Sequence, residues 1–465
     1  MLIRSIDEDT ICALSTPPGV GGIAVLRVSG SRAFEISRRL CSFLPELPES
    51  HRIYYGICRS SVTHDALDEV LVACFAEGRS FTGEETTEIS CHGGAVISAL
   101  VLKELIRAGA RLANRGEFTY RAFMNGRLDL VQAESVLALI DSRSQQSAKV
   151  ALRQLQGHLS KDFARIEDDL LWILAHLEAS IDFSTEDIEI VSPQELIDRS
   201  AGLLRLTENL VASYSKGRLL REGLEVVLAG RPNVGKSSIL NAFLREDRAI
   251  VTSIAGTTRD TIEGRLSVRG VPVTFVDTAG LRETENEIEK MGIARSQKAM
   301  SSADFVFYVL DLSSGLWRED AAEFASKARD RSYFLVNKVD LPGVDGDFAA
   351  VQKCLGALGI PGERVFAVSA LKNEGFDALE RLISSFVDHL DSESSNVVTQ
   401  ARHLEALQKI HSCLVAAIGL IKGNSSPEFV AFELQEAVRA IHELLGKEFN
   451  EQVIERIFKE FCLGK

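Results

Sequence analysis

Gly230-Arg231-Pro232-Asn233-Val234-Gly235-Lys236-Ser237 follows an apolar run, Leu224–Ala229, that reads as a strand, and leads into a stretch that reads as a helix. That is the setting a phosphate-binding loop requires. Its glycines let backbone N–H groups close around a β-phosphate, and the helix N-terminus adds partial positive charge. Lys236 is then placed to reach the β- and γ-phosphates, and Ser237 to ligate Mg2+. Asn233, Val234, Gly235 and Ser238 belong to the same nucleotide-binding stretch.

Three further segments follow in the order a GTP site needs. Asp277-Thr278-Ala279-Gly280 ends an apolar run at 271–276 and offers a carboxylate to the metal and a glycine N–H to the γ-phosphate. Asn337-Lys338-Val339-Asp340 ends another run. Its Asp340 can accept hydrogen bonds from N1–H and the 2-amino group of guanine, donors that adenine does not present together. Ser369-Ala370-Leu371, after a third run, would back the base. Four pieces in this order select GTP over ATP. Gly256-Thr257-Thr258-Arg259-Asp260 lies between the phosphate loop and Asp277, where a switch segment belongs, with Thr258 the expected second hydroxyl ligand of Mg2+. Thr252, Ser253, Ile254 and Ala255, just before it, are counted among the expected GTP-binding residues. Ras-type GTPases place a water-orienting glutamine after the Asp-x-x-Gly glycine. Here that position is Leu281, and the acids Glu283, Glu285, Glu287 and Glu289 stand nearby without composition choosing among them.

Around this unit the texture changes. Strand-like runs at 224–229, 271–276, 304–310, 333–336 and 364–368 alternate with helical stretches, the pattern of a mainly parallel sheet covered by helices. Residues 1–121 mix short strands and glycine turns with a helical run at 95–108 and read as an α+β domain. Residues 122–218 and 388–465 are helical, with Ser192 and Pro193 reading as a helix start. We therefore expect a multidomain α/β protein: an N-terminal α+β domain, a discontinuous helical domain, and an inserted Ras-like P-loop GTPase domain at 219–387. Two independent helical domains are the alternative.

Bulk properties set limits on function. The 465 residues are too many for one core, and 45% hydrophobic with 25% charged residues is ordinary globular composition. Eight scattered cysteines without a Cys-x-x-Cys pair suggest neither a disulfide framework nor a zinc site. No uninterrupted apolar run reaches the roughly 18–20 residues of a membrane span, and Asp7 and Glu8 stand where a signal peptide would need a basic flank. The expectation is a cytoplasmic protein with no membrane partner. A net charge of −14 argues against wrapping nucleic acid with the whole surface, so RNA binding would use a local patch or a second protein.

The phosphate loop with Asn233, the Gly256-Thr257-Thr258-Arg259-Asp260 switch and Asp277-Thr278-Ala279-Gly280-Leu281-Arg282 resemble the tRNA modification GTPases of the MnmE (TrmE) family. The likeness extends to Thr16-Pro17-Pro18-Gly19, Phe81-Thr82-Gly83-Glu84, His92-Gly93-Gly94, Gly116-Glu117-Phe118, Leu128-Asp129-Leu130 and the tail Phe461-Cys462-Leu463-Gly464-Lys465. It covers essentially the whole chain. A ribosome-assembly or other RNA-linked regulatory GTPase shares the G motifs, but such proteins usually append an RNA-binding module or a second phosphate loop.

The resemblance implies a folate-binding and dimerising N-terminal domain. It further implies a homodimer that acts on tRNA with the FAD-carrying flavoprotein MnmG (GidA), in a heterotetramer or larger complex. The implied reaction adds an aminomethyl or carboxymethylaminomethyl group to C5 of wobble uridine, position 34. The carbon comes from 5-formyl- or methylene-tetrahydrofolate. By position, Asn233, Thr252, Ile254 and Thr257 would hold K+, and Glu289 would position the attacking water. Arg27, Glu88, Arg127 and Lys465 match the family's folate contacts, with arginine at 127 where lysine is common. Cys462 lies near that site in the family and is a candidate for its chemistry, although an inert thiol reads equally well.

Overall fold

The computed structural model describes residues 9–142, 144–182, 191–245, 263–268, 271–277, 300–301, 303–341, 347–388, 396–448, 451–462 and 464–465. The chain forms two compact units: Met1–Asp141 with Ala151–Val211 and Ala401–Lys465, and Ser142–Val150 with Ala212–Gln400.

The first unit begins with six strands: β1 (Ile11–Leu14), β2 (Ile23–Ser29), β3 (Arg52–Arg59), β4 (Ala66–Phe75), β5 (Thr86–His92) and β6 (Arg111–Leu112). They make one sheet in the order β3-β4-β5-β2-β1-β6, antiparallel except for the β1–β6 pair. Alternation decides the faces. Ala24, Leu26 and Val28 of β2 point into a core shared with Val70, Val72 and Ile89, and helices Ala33–Leu40 and Ala95–Arg107 cover it through Ile36, Leu40, Val101 and Leu105. The alternate residues Arg27 and Glu88 are cross-strand partners on the other face.

Helices complete this unit. Asp129 caps helix Leu130–Ile140 with a capping box, its carboxylate accepting from Gln132 N and the Gln132 side chain accepting from Asp129 N. Helices Ala401–Lys422 and Pro427–Leu445 bury Leu407, Ile410 and Leu414 of one and Leu434, Ala437 and Ile441 of the other. Each large apolar side chain buried in this way contributes about 1.5–3 kcal/mol. By length and composition alone Ala401–Lys422 could cross a membrane, yet it carries Arg402, His403, Glu405 and Lys409.

The stretches before and after the insert meet at a buried ion cluster. Glu134 accepts from Arg402 Nε at 2.9 Å, Arg402 Nη2 at 3.0 Å and His403 Nε2 at 2.7 Å. Helices on both sides of the insertion thus belong to one body, and the alternative of two independent helical domains does not hold.

The second unit has strands β7 (Leu224–Ala229), β8 (Glu263–Val268), β9 (Val271–Asp277), β10 (Phe305–Asp311), β11 (Ser332–Asn337) and β12 (Val365–Ala367), in the order β12-β11-β10-β7-β9-β8. All neighbours are parallel except β8, which runs antiparallel to β9 at the edge. Every residue of β10 is buried. Phe305, Phe307 and Val309 pack with Ile239, Phe376 and Leu379 on one face, while Val306, Tyr308 and Leu310 pack with Trp317, Phe324 and Val351 on the other. A continuous apolar run is what a strand covered on both faces needs.

Both ends of this unit are tied together. Val398 N donates to Ser213 Oγ at 3.0 Å, and Arg221 Nη1 reaches Gln400 Oε1 at 2.6 Å. Gly217 lets the segments touch, since a Cβ there would lie 2.1 Å from Val398 O. Helix Pro193–Glu222 leads into this unit, and Ser192 caps it by accepting from Glu195 N at 3.2 Å.

Candidate nucleotide and ligand sites

The phosphate loop joins β7 to helix Lys236–Arg245. Asn233 and Gly235 adopt left-handed φ values of 65° and 99°. Glycine is required at 235, where a Cβ would meet the Asn337 amide at 2.3 Å. Lys236 is 4% exposed, and its ammonium donates to Gly230 O at 2.9 Å and Arg231 O at 2.8 Å, which holds the charge inside the loop. Ser237 and Ser238 are exposed on the first helical turn, with the Ser237 hydroxyl suitable for a metal.

The base-reading segments are bonded to the loop. Asn337 Nδ2 donates to Val234 O at 2.9 Å, and its Oδ1 accepts from Ala370 N at 3.3 Å. Lys338 Nζ reaches Asn233 O at 3.2 Å and pairs with Asp311 at 2.6 Å. Asp311 was not anticipated from sequence; an acid closing a buried strand beside the loop was its available signal. Ser369 Oγ accepts from Lys372 N at 3.1 Å and donates to Asp340 Oδ1 at 2.6 Å. That donated bond holds the Asp340 carboxyl below its ordinary range, so it stays an acceptor. Leu371 is exposed.

Asp277 closes β9 in register with Leu228. Thr252, Ser253, Ile254, Ala255, Gly256, Thr257, Thr258, Thr278, Ala279, Gly280 and Glu289 lie outside the described residues.

A second site sits on the open face of the N-terminal sheet. Arg27 donates from Nε at 2.9 Å to Glu88 Oε1, and its Nη2 lies 2.7 Å from the same oxygen. The guanidinium carbon stands 5.4 Å from the Phe81 ring centroid and 5.6 Å from that of Phe118. A cavity of about 240 Å³ opens beside them, walled by Phe75 and Phe81, with Glu88, Arg79 and Arg127 as its charged lining. Ser80 and Thr86 add hydroxyls. Gly83, at φ 82°, makes room for the Arg127 stem, which a Cβ would approach to 3.1 Å.

Of the four anticipated folate contacts, Glu88 and Arg127 line the cavity and Arg27 joins it through Glu88. Lys465 belongs to a tail that packs on the same unit. Gly464 O accepts from Ser15 Oγ at 3.3 Å, and Phe461 is buried in a cluster against which Phe81 packs. Cys462 is exposed and its carbonyl accepts from Gly116 N at 3.5 Å.

A mainly parallel sheet, a phosphate loop after β7 and a serine-held aspartate beyond β11 define a guanine-nucleotide-binding domain of the P-loop class. The family model for the GTP-binding protein TrmE N-terminus matches residues 10–127, and that for the MnmE helical domain matches residues 130–462. A tRNA modification GTPase MnmE of Bdellovibrio bacteriovorus is 49% identical over 99% of this chain and 98% of its own length. Another, of Natranaerobius thermophilus, is 42% identical over 98% of this chain and its whole length. Among solved structures, the G domain of the T. maritima FeoB iron transporter is 27% identical over 35% of this chain and 98% of that chain, with a TM-score of 0.27. The chain belongs to the MnmE (TrmE) family of tRNA modification GTPases.

Proposed function

We propose that the chain hydrolyses GTP to drive a folate-dependent modification of tRNA. As a homodimer with a flavoprotein partner, MnmG, it adds an aminomethyl or carboxymethylaminomethyl group to C5 of wobble uridine in the cytoplasm. The observation that carries this reading is Glu88, pinned by Arg27 at the wall of an aromatic-lined cavity. A carboxylate so oriented takes paired N–H donors from a pterin edge, and cations nearby suit folate carboxylates. Mass spectrometry of tRNA nucleosides from a deletion strain tests it. The C5 substituent should be missing from wobble uridine, and an unchanged nucleoside profile would sink the proposal.

In the nucleotide site Lys236 meets the β- and γ-phosphates, Asp340 reads the base, and Ser237 with Thr258 would hold Mg2+. Bound Mg2+ neutralises phosphate charge. With Leu281 in place of glutamine, we assign water positioning to Glu289 and charge neutralisation to K+ held by Asn233, Thr252, Ile254 and Thr257. Hydrolysis is expected to run at least about tenfold faster in KCl than in NaCl. Glu289→Ala should remove that turnover while GTP affinity stays within a few-fold. Equal rates in both salts would remove the K+ assignment, and loss of binding would make Glu289 structural.

A further inference from the structure

The folate cavity contains more positive charge than the family resemblance assigns to it. Arg79 lines it together with Arg127, and both side chains are exposed. No ion pair or side-chain hydrogen bond is found for either guanidinium among the described residues. Nearby arginines behave differently: Arg27 pairs with Glu88, Arg111 with Asp9 and Glu117, and Arg121 with Glu84. Glu88, the carboxylate in the cavity wall, is already engaged by Arg27. The wall therefore presents two uncommitted guanidiniums beside two phenylalanine rings.

Each part of that wall selects a ligand feature. Phe75 and Phe81 suit the faces of a flat heterocycle. Glu88 suits a ring edge bearing N–H donors. Guanidinium forks bind carboxylates through parallel N–H···O bonds, and two of them suit a ligand with two carboxylates on a flexible arm.

We propose that Arg79 is a binding determinant which, with Arg127, holds the carboxylates of the folate's glutamate tail while Glu88 holds its ring. This rests on the folate reading of the cavity. Arg79 follows Gly78, which has a left-handed φ of 73°, in the turn between β4 and β5 where Gly78 N donates to Gly83 O at 2.7 Å. That turn brings Arg79 to the same cavity as Arg127. Because Arg79 is exposed and unpaired among the described residues, replacing it removes ligand contacts without leaving a buried group unsatisfied.

Calorimetric titration of the full-length protein tests the assignment, using 5-formyl-tetrahydrofolate, its triglutamate, and tail-less 6-methyltetrahydropterin. Arg79→Ala is expected to weaken 5-formyl-tetrahydrofolate by about tenfold, and the triglutamate by at least as much. The tail-less pterin should change less than about twofold, and Arg79→Lys should recover part of the loss. Equal weakening of tailed and tail-less ligands would overturn the assignment, as would unchanged affinity for the tailed ones. The ring-side variant Glu88→Gln separates the two readings. If it weakens all three ligands while Arg79→Ala weakens none, the folate site stands and the role of Arg79 falls. If the unmodified protein binds none of the three, both fall.

Discussion

Asp340→Asn is expected to lower GTP affinity by about 10⁴-fold and to admit XTP in its place. Asp340 offers two acceptor oxygens, one of them already receiving the Ser369 hydroxyl at 2.6 Å. Guanine presents two donors to such a carboxylate, N1–H and the 2-amino group. An asparagine keeps one acceptor and replaces the other with an NH2 that points hydrogen at hydrogen. Xanthine carries a carbonyl oxygen where guanine has the amino group, so the same NH2 finds an acceptor. Ser369 can still donate to the asparagine oxygen, which fixes the amide's orientation. A buried hydrogen-bonding mismatch is worth far more than a lost methyl contact, hence the large factor. Titrating fluorescent GTP and XTP analogues checks the result. Comparable losses for both nucleotides would mean that Asp340 supports the loop rather than reads the base.

Glu134→Ala should destabilise the first unit by about 1.5–3 kcal/mol. The carboxylate lies between Arg402 and His403, with His403 at 1% exposure. Removing it leaves the buried His403 N–H without its acceptor and the partly exposed Arg402 guanidinium with only the Glu443 and Leu444 carbonyls. Burial opposes the charge on Glu134, but His403 and Arg402 outweigh burial and keep the carboxyl well below the ordinary range. His403 is pushed below its usual 6.5, first by burial and then by Arg402, against the pull of Glu134. It therefore sits neutral, donating through Nε2 and leaving Nδ1 without a partner among the described residues.

The chain's two tryptophans separate the measurement. Trp172 lies in helix His158–Asp182 of the first unit and Trp317 in the second. In a Trp317→Phe background, Glu134→Ala should move the Trp172 urea transition to lower denaturant. A transition that stays in place would contradict the assigned role. The pH sign follows from the same cluster. A depressed folded-state value means the unfolded chain takes up a proton first, so stability falls as pH drops below about 6.5. His403→Gln should flatten that fall between pH 7 and 5.

The G segments were legible because each is contiguous and ends a strand, so a few adjacent residues carry both the turn and the chemistry. Strand β8 was not anticipated: Glu263-Gly264-Arg265-Leu266-Ser267-Val268 alternates polar and apolar residues over six positions at a sheet edge, with a weak pattern of its own. Asp311 and Arg79 were missed for a different reason. Their roles depend on what the fold brings beside them, Lys338 of the base-reading segment in one case and a cavity wall in the other. Pairings such as Glu134 with Arg402, 268 positions apart, leave no local trace. The family likeness supplied Arg27 and Glu88 as residues, while the β2–β5 register supplied their pairing.

The ties between Ser213, Gly217 and Arg221 on one side and Val398, Thr399 and Gln400 on the other change what the insertion costs the surrounding fold. A long unstructured excursion would charge its host for loop closure, a cost that grows with the logarithm of length. Once the inserted unit has folded, its two ends are already side by side, and the host meets a short bridge whatever the length between. An added side chain at position 217 would prise those ends apart and return part of that closure entropy to the host.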